Sequence, residues 1–348
     1  MSQNWNIETQ AVQGNYKPKA AEARTAPICQ STTFKYDSAE HMAQLFDLDC
    51  ADPFYTRLGN PTTSVFEEKI ALMEGGVAAI ATSSGQAASA GAIFNICRAG
   101  QHVVSASTLY GGTYSLFANT FPKMGIKFNF VDPEASVEEI KNAFKPETRC
   151  LFAETIGNPG LNILDFEKFS QVAKEMGVPL IIDNTLASPY LCRPLEHGAD
   201  IIVHSATKYI DGHGTAVGGV IVDSGKFDWT ANGKYPELCE ADSSYHGLKY
   251  VEKFGPLAYI VKARAQYMRD LGVTPAPQNS FLFSHGLTTL HLRMERHSSN
   301  ALALAKHLEQ HDKVSWVNYP GLESHSSFAK TQKYLPKGAS GVLTFGIK

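Results

Sequence analysis

Near the middle of the chain, ADIIVHSATKYIDGHGTAVGG sets Ser205, Thr207 and Lys208 at the end of an apolar run and the head of a glycine-rich loop. Two hydroxyls and an amine at the carboxyl end of a buried strand suit a phosphate and a carbonyl held side by side. A lone lysine is usually a solvated surface cation, but the neighbouring hydroxyls and glycines argue against that here. Twenty-five positions earlier, VPLIIDNTLASPY ends another apolar run on Asp183. A carboxylate there is costly unless paired, and a protonated ring nitrogen would pair it. A helix N-cap would use the same letter. The interval to Lys208 fits one helical connection and one strand, so the two residues can meet at adjacent strand ends. A third segment, ATSSGQAASAGAIF, runs from strand to helix through Ser84, Gly85 and Gln86. Its free backbone N–H groups would face the same edge and attract an anion, although close packing of small residues would leave the same letters.

Positioning these groups requires a sheet. VAAIAT, HVVSA, IKFNFV, RCLFAE, PLIID and DIIVH are short, continuously apolar runs separated by helical patterns such as DFEKFSQVAKEMG. That alternation predicts an α/β domain with a mostly parallel, doubly wound sheet covered on both faces. Pro61 opens a helix whose Val65, Phe66, Ile70 and Met73 fall at helical spacing, and Gly75 and Gly76 stop it. Residues 1–60 carry too few apolar residues for a core and read as an extended arm. A central domain over 61–290 and a smaller α/β domain over 291–348 follow. The latter is built from the helical stretch GLTTLHLRMERHSSNALALAKHLEQH and the strands VSWVNYPG and GVLTFGIK. Residues 225–285 are rich in Gly, Pro and Tyr and give no clear pattern.

Composition removes several classes of function. The 348 residues carry 31 Lys and Arg against 34 Asp and Glu, a net charge of −3, with no basic run to follow a phosphate backbone. Nucleic acid is therefore not an expected partner. Six scattered cysteines without a C-x-x-C pair argue against a zinc site or a disulfide framework and suit a reducing cytosol. No apolar run approaches the ~18 residues of a membrane span, and the amino terminus has no signal-peptide pattern. A cytoplasmic protein is expected, with no metal. The loop after Lys208 spells G-H-G-T-A-V-G and leads into a strand, which disfavours a nicotinamide fingerprint, and no P-loop occurs. His307 and His311 sit at i, i+4 but lack the Glu of H-E-x-x-H, so a polar helix face is the better reading.

Taken together, YTRLGNPT, TSSGQA, STLYGGT, ETIGNP, DNTLASPYLCRPLEHGADIIVHSATKYIDGHG and GLTTLHLRMERHSSNA resemble the pyridoxal-phosphate (PLP) enzymes of Cys/Met metabolism. The resemblance covers nearly the whole chain. It implies the type I aminotransferase-like fold and a dimer-based assembly, commonly a homotetramer. It also implies that Lys208 carries PLP as a Schiff base and that Asp183 holds the pyridine nitrogen. Tyr110 would stack on the ring and assist acid–base steps. The N–H groups of Gly85 and Gln86 and the hydroxyls of Ser205 and Thr207 would hold the phosphate. Asn158 would bond the phenolic oxygen or the substrate carboxylate. Tyr55 and Arg57 would reach the cofactor phosphate of a neighbouring subunit.

Within that family, the long stretch FDWTANGKYPELCEADSSYHGLKYVEKFG, ending in S-Y-H-G, is similar to the sulfhydrylase branch. It implies γ-replacement: O-acetylhomoserine plus sulfide or a thiol gives homocysteine or methionine plus acetate. Lys208 would serve as the base, its pKa depressed by burial and nearby cations. The alternatives are a methionine γ-lyase, a cystathionine γ-synthase or, in a different class, a non-catalytic PLP-binding fragment. The resemblance further implies strands and helices after Lys348, among them the substrate-carboxylate arginine, so the second domain reads as incomplete and GVLTFGI as an exposed apolar edge.

Overall fold

The structure, a computed structural model, describes residues 5–14 and 16–348. Its centre is a seven-stranded sheet of β1 (Ala78–Thr82), β2 (His102–Ala106), β3 (Lys127–Val131), β4 (Thr148–Glu154), β5 (Leu180–Asp183), β6 (Ile201–Ser205) and β7 (Gly219–Asp223), in the order β1-β7-β6-β5-β4-β2-β3. Strands β2 to β6 pair in parallel. β7 runs antiparallel to both neighbours. The Lys208 loop returns directly to the sheet instead of through a helix, and a parallel partner would need a crossover of a dozen or more residues, usually helical.

Alternation along the strands divides the core. Ile182, Ile202 and Val220 face one side with Phe66, Ile70 and Phe169. Ile181, Ile201, Val203 and Ile221 face the other with Ile93, Phe117, Tyr235 and Tyr259. Buried on both faces, these strands had to be apolar throughout, which is why they read as continuous runs. The first face is covered by α3 (Pro61–Glu74). Its N-cap Asn60 accepts the Thr62 N–H at 2.9 Å, and Gly75 ends it at φ 80°. On the other face lie α4 (Gly85–Phe94) and the segment 225–268.

The arm differs from the expectation of a coreless, extended segment. It contains α1 (Ile7–Gln13) and α2 (Ala39–Phe46), and Ala11 is fully buried in the main core. Ile7 and Ala11, one helical turn apart, suffice to dock α1 against α3. Residues 1–4 and 15 of the arm lie outside the described residues. Toward the carboxyl terminus, the helix Leu290–Glu309 gives Leu290 and Met294 to the main core. It gives Ala301 and Ala305 to a small cluster with Tyr319 and Leu322. Beside that cluster β8 (Val314–Asn318) pairs antiparallel with β9 (Thr344–Ile347). Among the described residues no helix is long and apolar enough to cross a membrane.

Candidate active site

Every strand of the parallel set ends at one edge of the sheet, and the last residues of β4, β5 and β6 are Glu154, Asp183 and Ser205. A cavity of about 580 Å³ opens there, lined by Gly85, Gln86, Tyr110, Glu154, Asn158, Asp183, Ser205, Thr207 and Lys208 among others. Eight of the ten residues expected at the site are thus brought together from segments more than 120 positions apart in sequence.

Local structure places each group. Ser84 caps α4 by accepting the Ala87 N–H at 3.1 Å, which leaves the first N–H groups of the helix facing the cavity. A side chain at Gly85 would fall 2.6 Å from the Ser205 Cβ, so only glycine lets the helix start approach the end of β6 this closely. Thr185 ties the two central strands together, accepting the Ser205 N–H at 2.8 Å through its hydroxyl. Its own N–H donates to Asp183 Oδ1 at 2.9 Å. Thr207 Oγ1 lies 3.1–3.2 Å from the N–H and carbonyl of Gly218 and so fixes the return of the lysine loop. Lys208 is exposed, and its amine makes no hydrogen bond or ion pair among the described residues. The burial expected to activate this lysine is therefore not supplied by its own chain. The loop lifts it off the sheet into the mouth of the cavity.

Two carboxyls meet at this edge. Glu154 and Asp183 are register partners on β4 and β5. Burial pushes Asp183 up from the usual carboxylate range, while the N–H and hydroxyl of Thr185 pull it down. Glu154 is pushed well up by burial and by the charge of Asp183, and it accepts the Tyr110 N–H at 2.7 Å. Behind them, alternation turns Thr155, Asn184 and His204 to the opposite face. There Glu74 of α3 lies 2.6 Å from His204 Nε2 and accepts Asn184 Nδ2 at 2.9 Å, while Thr155 Oγ1 donates to Asn184 Oδ1 at 2.8 Å. This buried network locks the three strand ends in register.

Tyr55 and Arg57 lie elsewhere. They line a separate cavity of about 450 Å³ with Tyr36, Tyr245, His246 and Arg269. The Arg57 guanidinium lies 4.7 Å from the Tyr55 ring centroid, and its buried Nε has no hydrogen-bond partner. The arm is anchored by Arg264, which donates to the Leu58 carbonyl and to Glu67 of α3.

Sequence reasoning missed Glu154, Thr185 and His297 in the main cavity. The signal for Glu154 was present, since RCLFAE ends a buried strand on a carboxylate as PLIID does. His297 comes from the distant helix Leu290–Glu309, and no local pattern could place it.

The residues present fit PLP. The cavity offers an amine without a partner, a carboxylate at a strand end, and helix N–H groups beside hydroxyls in a cradle too tight for a Cβ. Comparison with known proteins agrees. The family described as "Cys/Met metabolism PLP-dependent enzyme" matches residues 8–348. The O-acetyl-L-homoserine sulfhydrylase of Leptospira meyeri is 49% identical, covering 100% of this chain and 80% of its own. The homocysteine synthase of Schizosaccharomyces pombe is 48% identical, covering 99% and 80%. A crystal structure from Campylobacter jejuni, assigned as an O-acetylhomoserine (thiol)-lyase and carrying N'-pyridoxyl-lysine-5'-monophosphate, superposes with a TM-score of 0.96. It is 36% identical and covers 99% of this chain and 86% of its own.

Proposed function

The chain belongs to the Cys/Met metabolism PLP-dependent enzyme family, and from that premise we propose that it is a cytoplasmic O-acetylhomoserine sulfhydrylase whose active sites are completed across a subunit interface. Its reaction replaces the acetate on Cγ of O-acetylhomoserine with sulfide, giving homocysteine. The observation that carries this reading is the convergence of Lys208, Asp183 and the phosphate cradle on one strand edge, in a chain so similar to sulfhydrylases along its whole length.

When bound, PLP supplies a conjugated ring that accepts the electron pair of a breaking Cα–H bond. The rest falls to the protein. Asp183 pairs with the ring nitrogen and keeps it protonated. Gly85, Gln86, Ser205 and Thr207 hold the phosphate. Asn158 orients the phenolic oxygen or the substrate carboxylate, and Tyr110 covers the ring. Lys208 Nζ would hold the cofactor and be released when a substrate amine displaces it. Once free, that amine would take the proton from Cα; a second proton must leave Cβ for acetate to depart from Cγ, and both sites would be reprotonated after the thiol has added at Cγ. Arg57 and Tyr55 extend the phosphate site of a second copy of the chain. The Arg57 guanidinium lines an open cavity and meets no carboxylate among the described residues, so a partner's phosphate would supply the anion it lacks.

The test is a panel of O-acetylhomoserine, O-succinylhomoserine and methionine, each with and without sulfide. Homocysteine from the acetyl ester and sulfide is expected. An α-keto acid and methanethiol from methionine would move the enzyme to the γ-lyases.

A further inference from the structure

Two carboxyls face the main cavity, and Glu154 is the one that takes no part in holding the cofactor. It is 7% exposed, stands at the end of β4, and is bonded through Oε1 to the Tyr110 N–H at 2.7 Å. Neighbouring strands lie about 4.8 Å apart, and residues in register share a face, so its carboxyl stands beside that of Asp183. Two carboxyls that close in a half-dry site do not both ionise.

Their surroundings decide which keeps the charge. Asp183 is half-buried, reaches the open part of the cavity, and receives donors from Thr185. Glu154 lies deeper; the N–H groups of Tyr110 and Asn158 favour its anion, but burial together with the charge of Asp183 outweighs them and favours its neutral form. A neutral carboxyl still accepts a hydrogen bond, so the grip on Tyr110 survives protonation. That grip matters because Tyr110 precedes the short helix Gly111–Ser115 with half its surface exposed. Its ring lies so close over Gly112 that a Cβ there would meet Cε1 at 2.5 Å.

We propose that Glu154 is a positioning residue for the cofactor ring: as a neutral acid it anchors the Tyr110 backbone beside the cavity and leaves the single negative charge of the pair on Asp183. The inference rests on the cofactor site proposed above. It assigns Glu154 a role distinct from that of Asp183, although the two carboxyls are neighbours in the same sheet.

Three holoenzymes decide it: wild type, Glu154→Ala and Glu154→Gln. Each is measured for PLP dissociation, for the visible absorbance of bound cofactor across pH, and for kcat and KM. Glu154→Ala leaves the Tyr110 N–H without an acceptor, and cofactor release should rise about five- to one-hundredfold. Glu154→Gln keeps an acceptor and no charge, and it should restore most of that loss. Its spectral pH midpoint should stay within about half a unit of wild type. If Glu154 is instead ionised, Glu154→Gln removes an anion beside the cofactor, and the midpoint should fall by about one unit or more. That result overturns the inference, as does an alanine variant that retains PLP like wild type. If Glu154→Ala does not fold, the midpoint of Glu154→Gln decides alone. A wild-type protein that fails to bind PLP at Lys208 refutes the site itself, and this inference with it.

Discussion

The central sheet holds a pair of carboxyls perturbed by burial at each of its two edges, and only one pair faces groups that could act on a ligand. At the front, Glu154 and Asp183 end neighbouring parallel strands and line the cavity. At the back, Asp200 precedes β6 and Asp223 ends the antiparallel β7. Burial pushes Asp200 to about 6 and Asp223 to about 7. By perturbation alone the back pair would be as good a candidate as the front. What it lacks is convergent chemistry. Asp200 accepts the Leu180 N–H and Asp223 the Gly225 N–H, and the second oxygen of Asp223 meets nothing. The back carboxyls staple strand ends, whereas the front ones stand among a free amine, hydroxyls and helix N–H groups. A perturbed carboxyl marks a functional site only when the groups around it could act on the same ligand.

The comparison can be broken at several points. Lys208→Ala removes the one lysine amine that lines the cavity among the described residues and should lower turnover by about 100- to 10,000-fold or more, read as homocysteine formed at saturating PLP. Asp183→Asn removes the charge paired with the ring nitrogen, and equilibrium dialysis should show PLP bound about 10- to 100-fold more weakly. Asp223→Asn should leave PLP binding unchanged; a comparable loss there would dissolve the distinction between the edges. Arg57→Ala should weaken retention about tenfold, and mixing it with Lys208→Ala should restore part of the activity in heterodimers that contain one intact site. No recovery despite demonstrated subunit exchange would place Arg57 within its own site.

The smallest effect concerns stability. A carboxyl whose folded pKa is raised contributes stability below its unfolded value, and that contribution is lost as pH climbs through the folded one. For Asp223 the window runs from about 4, the unfolded value, to about 7. Asp223→Asn should therefore raise unfolding free energy by about 1–3 kcal/mol at pH 8 and by much less at pH 5, as urea titrations at the two pH values would show. Equal effects at both would mean that Asp223 is ionised in the fold.

The strands and the residues at their ends were legible because burial on both faces forces continuous apolar runs, against which a terminal Asp or Lys stands out. The segment 225–268 was not, and its tyrosines explain why. Tyr235, Tyr250 and Tyr259 are fully buried, yet their hydroxyls reach the Arg149 carbonyl, Asp242 and the Ala92 carbonyl at 2.8–2.9 Å. A side chain with an apolar body and a polar tip gives no clean periodicity, and the short helices around it read as loop. The arm hid its core contact for a simpler reason: Ala11 is too small to signal burial.

The central claim is that Lys208 holds PLP, and one measurement reaches it directly. The holoenzyme is reduced with borohydride, digested, and its peptides are mapped by mass spectrometry. Phosphopyridoxyl on the peptide containing Lys208, and none in Lys208→Ala, is the predicted result. The label on any other lysine, or its persistence in Lys208→Ala, would contradict the account.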